Sequence, residues 1–274
     1  MTIDEDSAWA AILQARRAWR QAAPRAAVEA RTAAGAALRL ETDGRFATDA
    51  RLDLAAHELL TIFAPLAAAP RFAIGQLGQS LDGRIATRTG DSRYVSGPLG
   101  LRHLHRLRAM ADAVVVGAGT VAADDPQLTV RHCPGDNPVR VVVDRMRRLA
   151  PAHRLFADGQ APSFVLCAPG LAAGPGAPIE VPATVDGFAP RDILAALGAR
   201  GLHRVLIEGG ARTLSRFLDA RALDALHVVV APMIIGSGRE AIALPAIDSL
   251  DDALRAPVHH HRLGSDMLFA LDLT

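Results

Sequence analysis

The sequence contains no lysine; all 30 of its basic residues are arginine. That absence excludes a Schiff-base lysine, a P-loop lysine and a lysine general base. Any bound phosphate must be held by arginine, backbone amides or hydroxyls. Cysteine is nearly absent as well. Cys133 and Cys167 lie far apart, in no zinc-ligand spacing, and read as free thiols of a reducing compartment. No run approaches the ~18–20 apolar residues of a membrane-crossing helix, and the acidic start MTIDEDSAW is unlike a secretory signal. The net charge is only +1, which argues against a nucleic-acid partner held by a basic surface. A soluble cytoplasmic protein is the expectation.

What is present is a long apolar chain. Half of the 274 residues are hydrophobic and the mean hydropathy is +0.18, enough to bury a full core. Residues 1–69 are rich in Ala and Arg and read as a mainly helical extension. Its first helix places Trp9, Ile12, Leu13 and Trp19 on one face and Arg16, Arg17 and Arg20 on another, and ends at Pro24. A second runs from Leu52 to Phe63, and Pro65 and Pro70 bracket a linker. From residue 70 the texture changes to strands alternating with helices. A strand starts at Phe72, and a helix opens at Pro98 and runs to Met110. Apolar runs of strand length follow at 113–116, 139–143, 164–166, 205–207 and 226–230, with helices at 191–199 and 212–218. The stretch 169–178 reads as a Gly/Pro/Ala loop. The last residues form a hairpin turning at Gly264-Ser265-Asp266. An α/β fold with a mostly parallel central sheet and an antiparallel C-terminal hairpin follows.

Three glycine-bearing segments stand out. AVVVGAGTVA (113–122), followed by a strand ending at Asp144, imitates a dinucleotide fingerprint. It lacks the full crossover helix of a Rossmann unit, because Asp124-Asp125-Pro126 stops the helix. VLIEGGAR (205–212) ends a buried strand in an acid and two glycines and then opens a helix, whose N-terminus favours an anion. SLDGRIAT (80–87) reads as a turn at Asp82-Gly83.

Together these segments resemble one family. GQSLDGRIATRTGDSRYVSG (78–97), HRLRAMADAVVVGAGTVAADDPQLTVR (105–131), VRVVVD (139–144), IEGGARTLSRFL (207–218) and APMIIGSG (231–238) are similar, in order and spacing, to the reductase domain of the bifunctional riboflavin-biosynthesis deaminase/reductases. The resemblance covers residues 71–274. It implies a dihydrofolate-reductase-like three-layer sandwich. It also implies NADPH-dependent reduction of the ribosyl group of a phosphoribosylamino-pyrimidine to the ribitylamino product, with hydride delivered to C1′ of the sugar. On the substrate side it implies Ser92, Arg108, Leu128, Arg131 and Glu208, the two arginines clamping the phosphate. On the cofactor side it implies Gly78, Tyr94, Thr120, Asp124 and the run Gly210, Ala211, Arg212, Thr213, Leu214, Ser215 and Arg216. A homodimer is the family's usual state.

The sequence also departs from the pattern. Gln76 stands where many members have lysine, and Arg145 where a serine is usual, with Arg147 and Arg148 beside it; those arginines suit the 2′-phosphate of NADPH. The deaminase zinc signature is missing, since His57-Glu58 are adjacent and Cys133 precedes Pro134. No metal is expected. His259, His260 and His261 alternate along a strand, and His103 and His105 point apart on a helix. Two rival functions remain open at this level: a same-fold reductase acting on a pterin or another pyrimidine, and a non-catalytic binding protein.

Overall fold

The computed structural model describes residues 1–21, 26–32, 35–92, 95–185 and 187–274. They divide into two compact units, Met1–Phe72 and Ala73–Thr274. Among them no helix is long and apolar enough to cross a membrane.

The first unit contains helix α1 (Glu5–Gln21), strands β1 (Val28–Arg31), β2 (Ala37–Leu40) and β3 (Phe46–Ala47), and helix α2 (Leu54–Ala68). The three strands form an antiparallel sheet that helical periodicity in the sequence does not reveal. Trp9 meets Phe63 edge to face, ring centroids 5.3 Å apart. Arg16, expected on the solvated face, is only 3% exposed. It falls four residues after Ile12 and seven after Trp9, which places it on the buried stripe. Asp53 caps α2, its carboxylate accepting from the Ala56 amide at 2.7 Å. Pro65 lies inside this helix and does not open a linker; the helix runs on to Ala68. Gly44 (φ +84°) packs against it, and a Cβ there would lie 2.5 Å from Pro65 Cα. The expected stop at Pro24 falls outside the described residues.

The second unit is built on strands β4 (Phe72–Ser80), β5 (Arg84–Ala86), β6 (Ala113–Gly117), β7 (Val139–Val143), β8 (Ser163–Cys167), β9 (Ala177–Glu180), β10 (Arg204–Ile207), β11 (Ala225–Ala231), β12 (Val258–Leu263) and β13 (Asp266–Asp272). Its main helices are α3 (Pro98–Met110), α4 (Ala118–Asp124), α5 (Arg154–Ala157), α6 (Pro190–Gly198) and α7 (Ala211–Asp219). Nine strands form one sheet in the order β9-β8-β7-β6-β10-β4-β11-β13-β12. β13 runs antiparallel to both neighbours, while β4 and β11, β6 and β10, and β6 to β9 pair in parallel. The loop expected over 169–178 gives way to β9 at its last two residues, Ala177 and Pro178. Pro178 is compatible with it because β9 is an edge strand.

Strand alternation sets the layers. Ala73 and Leu77 of β4 pack with Ile193 of α6 and Leu214 and Phe217 of α7. Residues of the other parity face α3: His227 meets His103, and Val229 lies against Gly100. The result is a three-layer α/β sandwich. The valine-rich β6 and β7 are buried on both faces, as central strands require. Arg140 within β7 is the polar exception. It is held by Asp158 at 2.7 Å and by the carbonyls of Gln127 and Ala161.

Candidate active site

A cleft of about 1100 Å³ opens where β4, β6, β7 and β10 end. Two glycine turns interlock at its floor. β6 ends at Gly117 and feeds α4, and β10 ends before Glu208-Gly209-Gly210 and feeds α7. The Gly210 amide donates to Thr120 Oγ1 at 3.0 Å. Gly209 has φ +88°, and a Cβ there would lie 2.8 Å from Thr120 Oγ1, so both conformation and space favour glycine. The helix after β6 has a single short run and ends at Asp124, with Asp125 left-handed at φ 40°. The Rossmann crossover is therefore absent.

The substrate-side residues meet at Thr129. Arg108 from α3 and Glu208 from the end of β10 form a bidentate pair, Nε to Oε1 at 2.8 Å and Nη2 to Oε2 at 2.7 Å, and are 6% and 5% exposed. Arg108 Nη1 also donates to the Thr129 carbonyl at 3.0 Å. Arg131 Nη1 donates to Thr129 Oγ1 at 2.7 Å, and its backbone amide donates to His105 Nδ1 at 2.8 Å. Arg131 has no carboxylate partner among the described residues. Partial burial and the nearby charges of Arg108 and Arg154 lower its pKa, with Glu208 opposing. The expected pair of clamping arginines is thus unequal: Arg108 is committed to a carboxylate and Arg131 is not. Burial and the same two arginines, 108 and 131, hold His105 down to about 3.

Leu128 occupies a strained turn at φ 57°. The loop carrying it is tied down by Asp125, whose carboxylate accepts from the Arg154 amide at 2.8 Å and from Arg154 Nε at 3.1 Å. Asp124 lines the cleft, and burial raises its carboxyl pKa, with Arg239 opposing. On the far side, Asp82 joins the turn after β4 to the loop after β11. It accepts from Ser80 Oγ at 2.5 Å, Ile235 N at 3.1 Å and Gly236 N at 2.7 Å.

Ser92, Gly78, Ala211, Arg212, Thr213 and Arg216 all line the cleft. Arg216 also donates to the Phe188 carbonyl at 3.0 Å. Two expected cofactor residues are not brought there. Leu214 is buried in the core, and Ser215 turns away to accept from the Ala243 amide at 2.8 Å. The physical reason is helical periodicity: α7 presents only one face to the cleft. Tyr94 lies outside the described residues. Of the arginines after β7, Arg145 and Arg148 line the cleft, whereas Arg147 is occupied by the carbonyls of Ala173, Pro175 and Gly176. Sequence reasoning did not place Ser96 or Arg239 at the cleft, and treated Gln76 only as a departure. Distance along the chain hides Arg239.

His103 and His105, two residues apart on α3, point to different places. His103 Nε2 lies 3.0 Å from His227 Nδ1 under α3, while His105 supports Arg131.

The profile of the RibD C-terminal domain matches residues 71–269. The chain belongs to this family. Within it, the RibD-type domain is 38% identical over 209 residues to the 2,5-diamino-6-ribosylamino-4(3H)-pyrimidinone 5′-phosphate reductase of Methanothermobacter thermautotrophicus, covering 72% of this chain and 95% of that protein. It is 32% identical over 197 residues to the riboflavin biosynthesis protein RibD of Aquifex aeolicus, covering 69% of this chain and 54% of that one. The chain therefore spans about half the length of the RibD proteins it matches. Among solved structures, the deaminase/5-amino-6-(5-phosphoribosylamino)uracil reductase of Thermotoga maritima superposes with TM-score 0.62 at 28% identity, over 81% of this chain and 64% of that one. The yeast riboflavin biosynthesis reductase Rib7 superposes with TM-score 0.61 at 20% identity, over 75% and 91%, and supports the fold alone. The dihydrofolate-reductase-like sandwich expected from the sequence is the fold observed.

Proposed function

We propose that residues 70–274 form a reductase domain that converts the ribosyl group of a phosphoribosylamino-pyrimidine to the ribityl group, using NADPH. The segment 1–69 is an extension outside that domain. The observation that carries the reading is the cleft itself, which pairs a glycine-walled cradle with an arginine that has no carboxylate partner among the described residues. A dinucleotide fits the cradle. The Gly209-Gly210 turn lets its backbone approach closely, and α7 directs its amides toward the same place as Thr120. Gly78, Thr120, Asp124, Gly210, Ala211, Arg212, Thr213 and Arg216 would hold it, and Arg145 and Arg148 suit a 2′-phosphate at the end of β7. Such a cofactor supplies hydride when bound; the protein supplies position.

Arg131 offers the positive charge for the substrate phosphate, with Ser92 and the Leu128 backbone beside it. Arg108 holds Glu208 in one orientation so that the carboxylate meets the sugar or base from a fixed direction. Burial keeps the Asp124 carboxyl protonated to a higher pH than usual, so it can hold a proton at the cleft wall. We further propose a homodimer, for which β12 provides an exposed sheet edge.

The test is titration of purified protein with NADPH and with NADH, followed by fluorescence. The phosphoribosylamino-pyrimidines in the 5-aminouracil and 2,5-diaminopyrimidinone forms are then added while cofactor absorbance is read. Tighter NADPH binding and oxidation on addition of one substrate are expected. Binding without oxidation would refute the substrate assignment, and no binding of either nucleotide would refute the reductase.

A further inference from the structure

Gln76 sits in the middle of β4, 6% exposed, and lines the cleft. Its carboxamide makes no hydrogen bond to any described residue. Its amide atoms are not among the side-chain atoms sealed from solvent, so the group faces the open cleft with its hydrogen-bonding capacity unspent. Its neighbours do not take it up. His227, directly beside it in the sheet register, has its Nδ1 3.0 Å from His103 Nε2. Glu208 has both oxygens committed to Arg108. Two residues along, on the same face of the strand, Gly78 lets the Ser96 hydroxyl close in; a Cβ at position 78 would lie 2.1 Å from Ser96 Oγ. The Ser96 hydroxyl fills that space, and Ser96 and Gln76 both line the cleft.

We propose that Gln76 reads the lactam edge of the substrate's heterocycle. A ring amide offers an N–H and a C=O side by side, and a carboxamide matches both, Oε1 accepting while Nε2 donates. A neutral group in this position adds nothing to phosphate affinity, which separates ring recognition at Gln76 from anion recognition at Arg131. The proposal rests on the reading of the cleft as a pyrimidine reductase site.

Gln76→Leu and the straight-chain Gln76→Met remove both hydrogen bonds at similar volume. Melting temperature, NADPH affinity by fluorescence, and KM and kcat for the phosphoribosylamino-pyrimidine are measured on the full chain. KM is expected to rise roughly 10- to 100-fold, as two neutral hydrogen bonds imply, with kcat changing far less. NADPH affinity stays as in the wild type. The melting temperature stays close to that of the wild type, because no hydrogen bond to a described residue is lost. Unchanged KM in either folded variant overturns the proposal. So does a fall in melting temperature in both variants together with loss of NADPH affinity, which would make the amide structural. A wild-type protein that turns over neither pyrimidine refutes the functional reading itself and this proposal with it, a result distinct from active wild type with unaffected variants.

Discussion

Arg108 and Glu208 illustrate how a residue's type is legible long before its role. The family resemblance implies that both are substrate residues, and both stand at the cleft. Their mutual bidentate pair shows what each side chain is doing before any substrate arrives. A buried pair is costly to break from one side, because the remaining charge has nowhere to go. Arg108→Ala is expected to lower stability by about 3–5 kcal/mol in urea denaturation. The double variant Arg108→Met/Glu208→Leu recovers most of that loss and none of the activity. A single variant as stable as the wild type would show that the pair carries no structural weight. Arg16 teaches the same lesson in the first unit. Its charge suggested solvent, and its spacing from Trp9 and Ile12 decided otherwise.

At the scale of elements, the cleft depends on connections between turns far apart in the chain. Asp82 links the turn after β4 to the loop after β11 through two backbone amides. The hydrogen bond from Ser80, followed by those amides, holds its carboxyl down to about 2. A carboxyl depressed in the folded state stabilises it at every pH above the unfolded value near 3.8. That contribution is lost as pH falls from there through about 2. Asp82→Asn should lower the melting temperature at neutral pH, and its deficit against the wild type should shrink between pH 4 and 2. A deficit that stays constant across that range would exclude the carboxylate as the tie. The Asp125–Arg154 link plays the corresponding part for the loop that carries Leu128.

For the molecule as a whole, the reductase sandwich buries two histidines between α3 and the sheet. Burial, reinforced by the charge of His261, holds His227 down to about 4; burial, with His227, Arg106 and His261, holds His103 well below its ordinary value. Both, like His105 beside Arg131, are neutral in the fold, whereas the unfolded chain takes up protons below about pH 6.5, so His227→Leu removes part of the decline that follows. Stability should therefore be level above that pH and fall as pH drops from 6.5 toward 4, a window separate from that of Asp82. Thermal melts across pH 8 to 4 test this, and His227→Leu should flatten the decline. An equally steep decline in that variant would place the proton uptake elsewhere. Much of this architecture was legible in the sequence. Runs such as AVVVG and VRVVV can only be central strands, Pro98 opens a helix, Gly264-Ser265 turns a hairpin, and the ordered motifs from SLDG to IEGGAR name the fold. Local pattern determines these features because strand and helix periods are written in consecutive residues. The remainder depended on what lies across space. Local spacing says nothing of a short sheet between α1 and α2, of an edge strand through Pro178, or of which face of α7 meets the cleft and sends Leu214 and Ser215 away from it. The sequence alone determined the sandwich and the neighbourhood of its site. Only the tertiary structure decided that Arg108 answers Glu208, that Arg131 forms no ion pair with any described residue, and that Gln76 faces the cleft without a described hydrogen-bond partner, because partners are set by packing between segments a hundred residues apart.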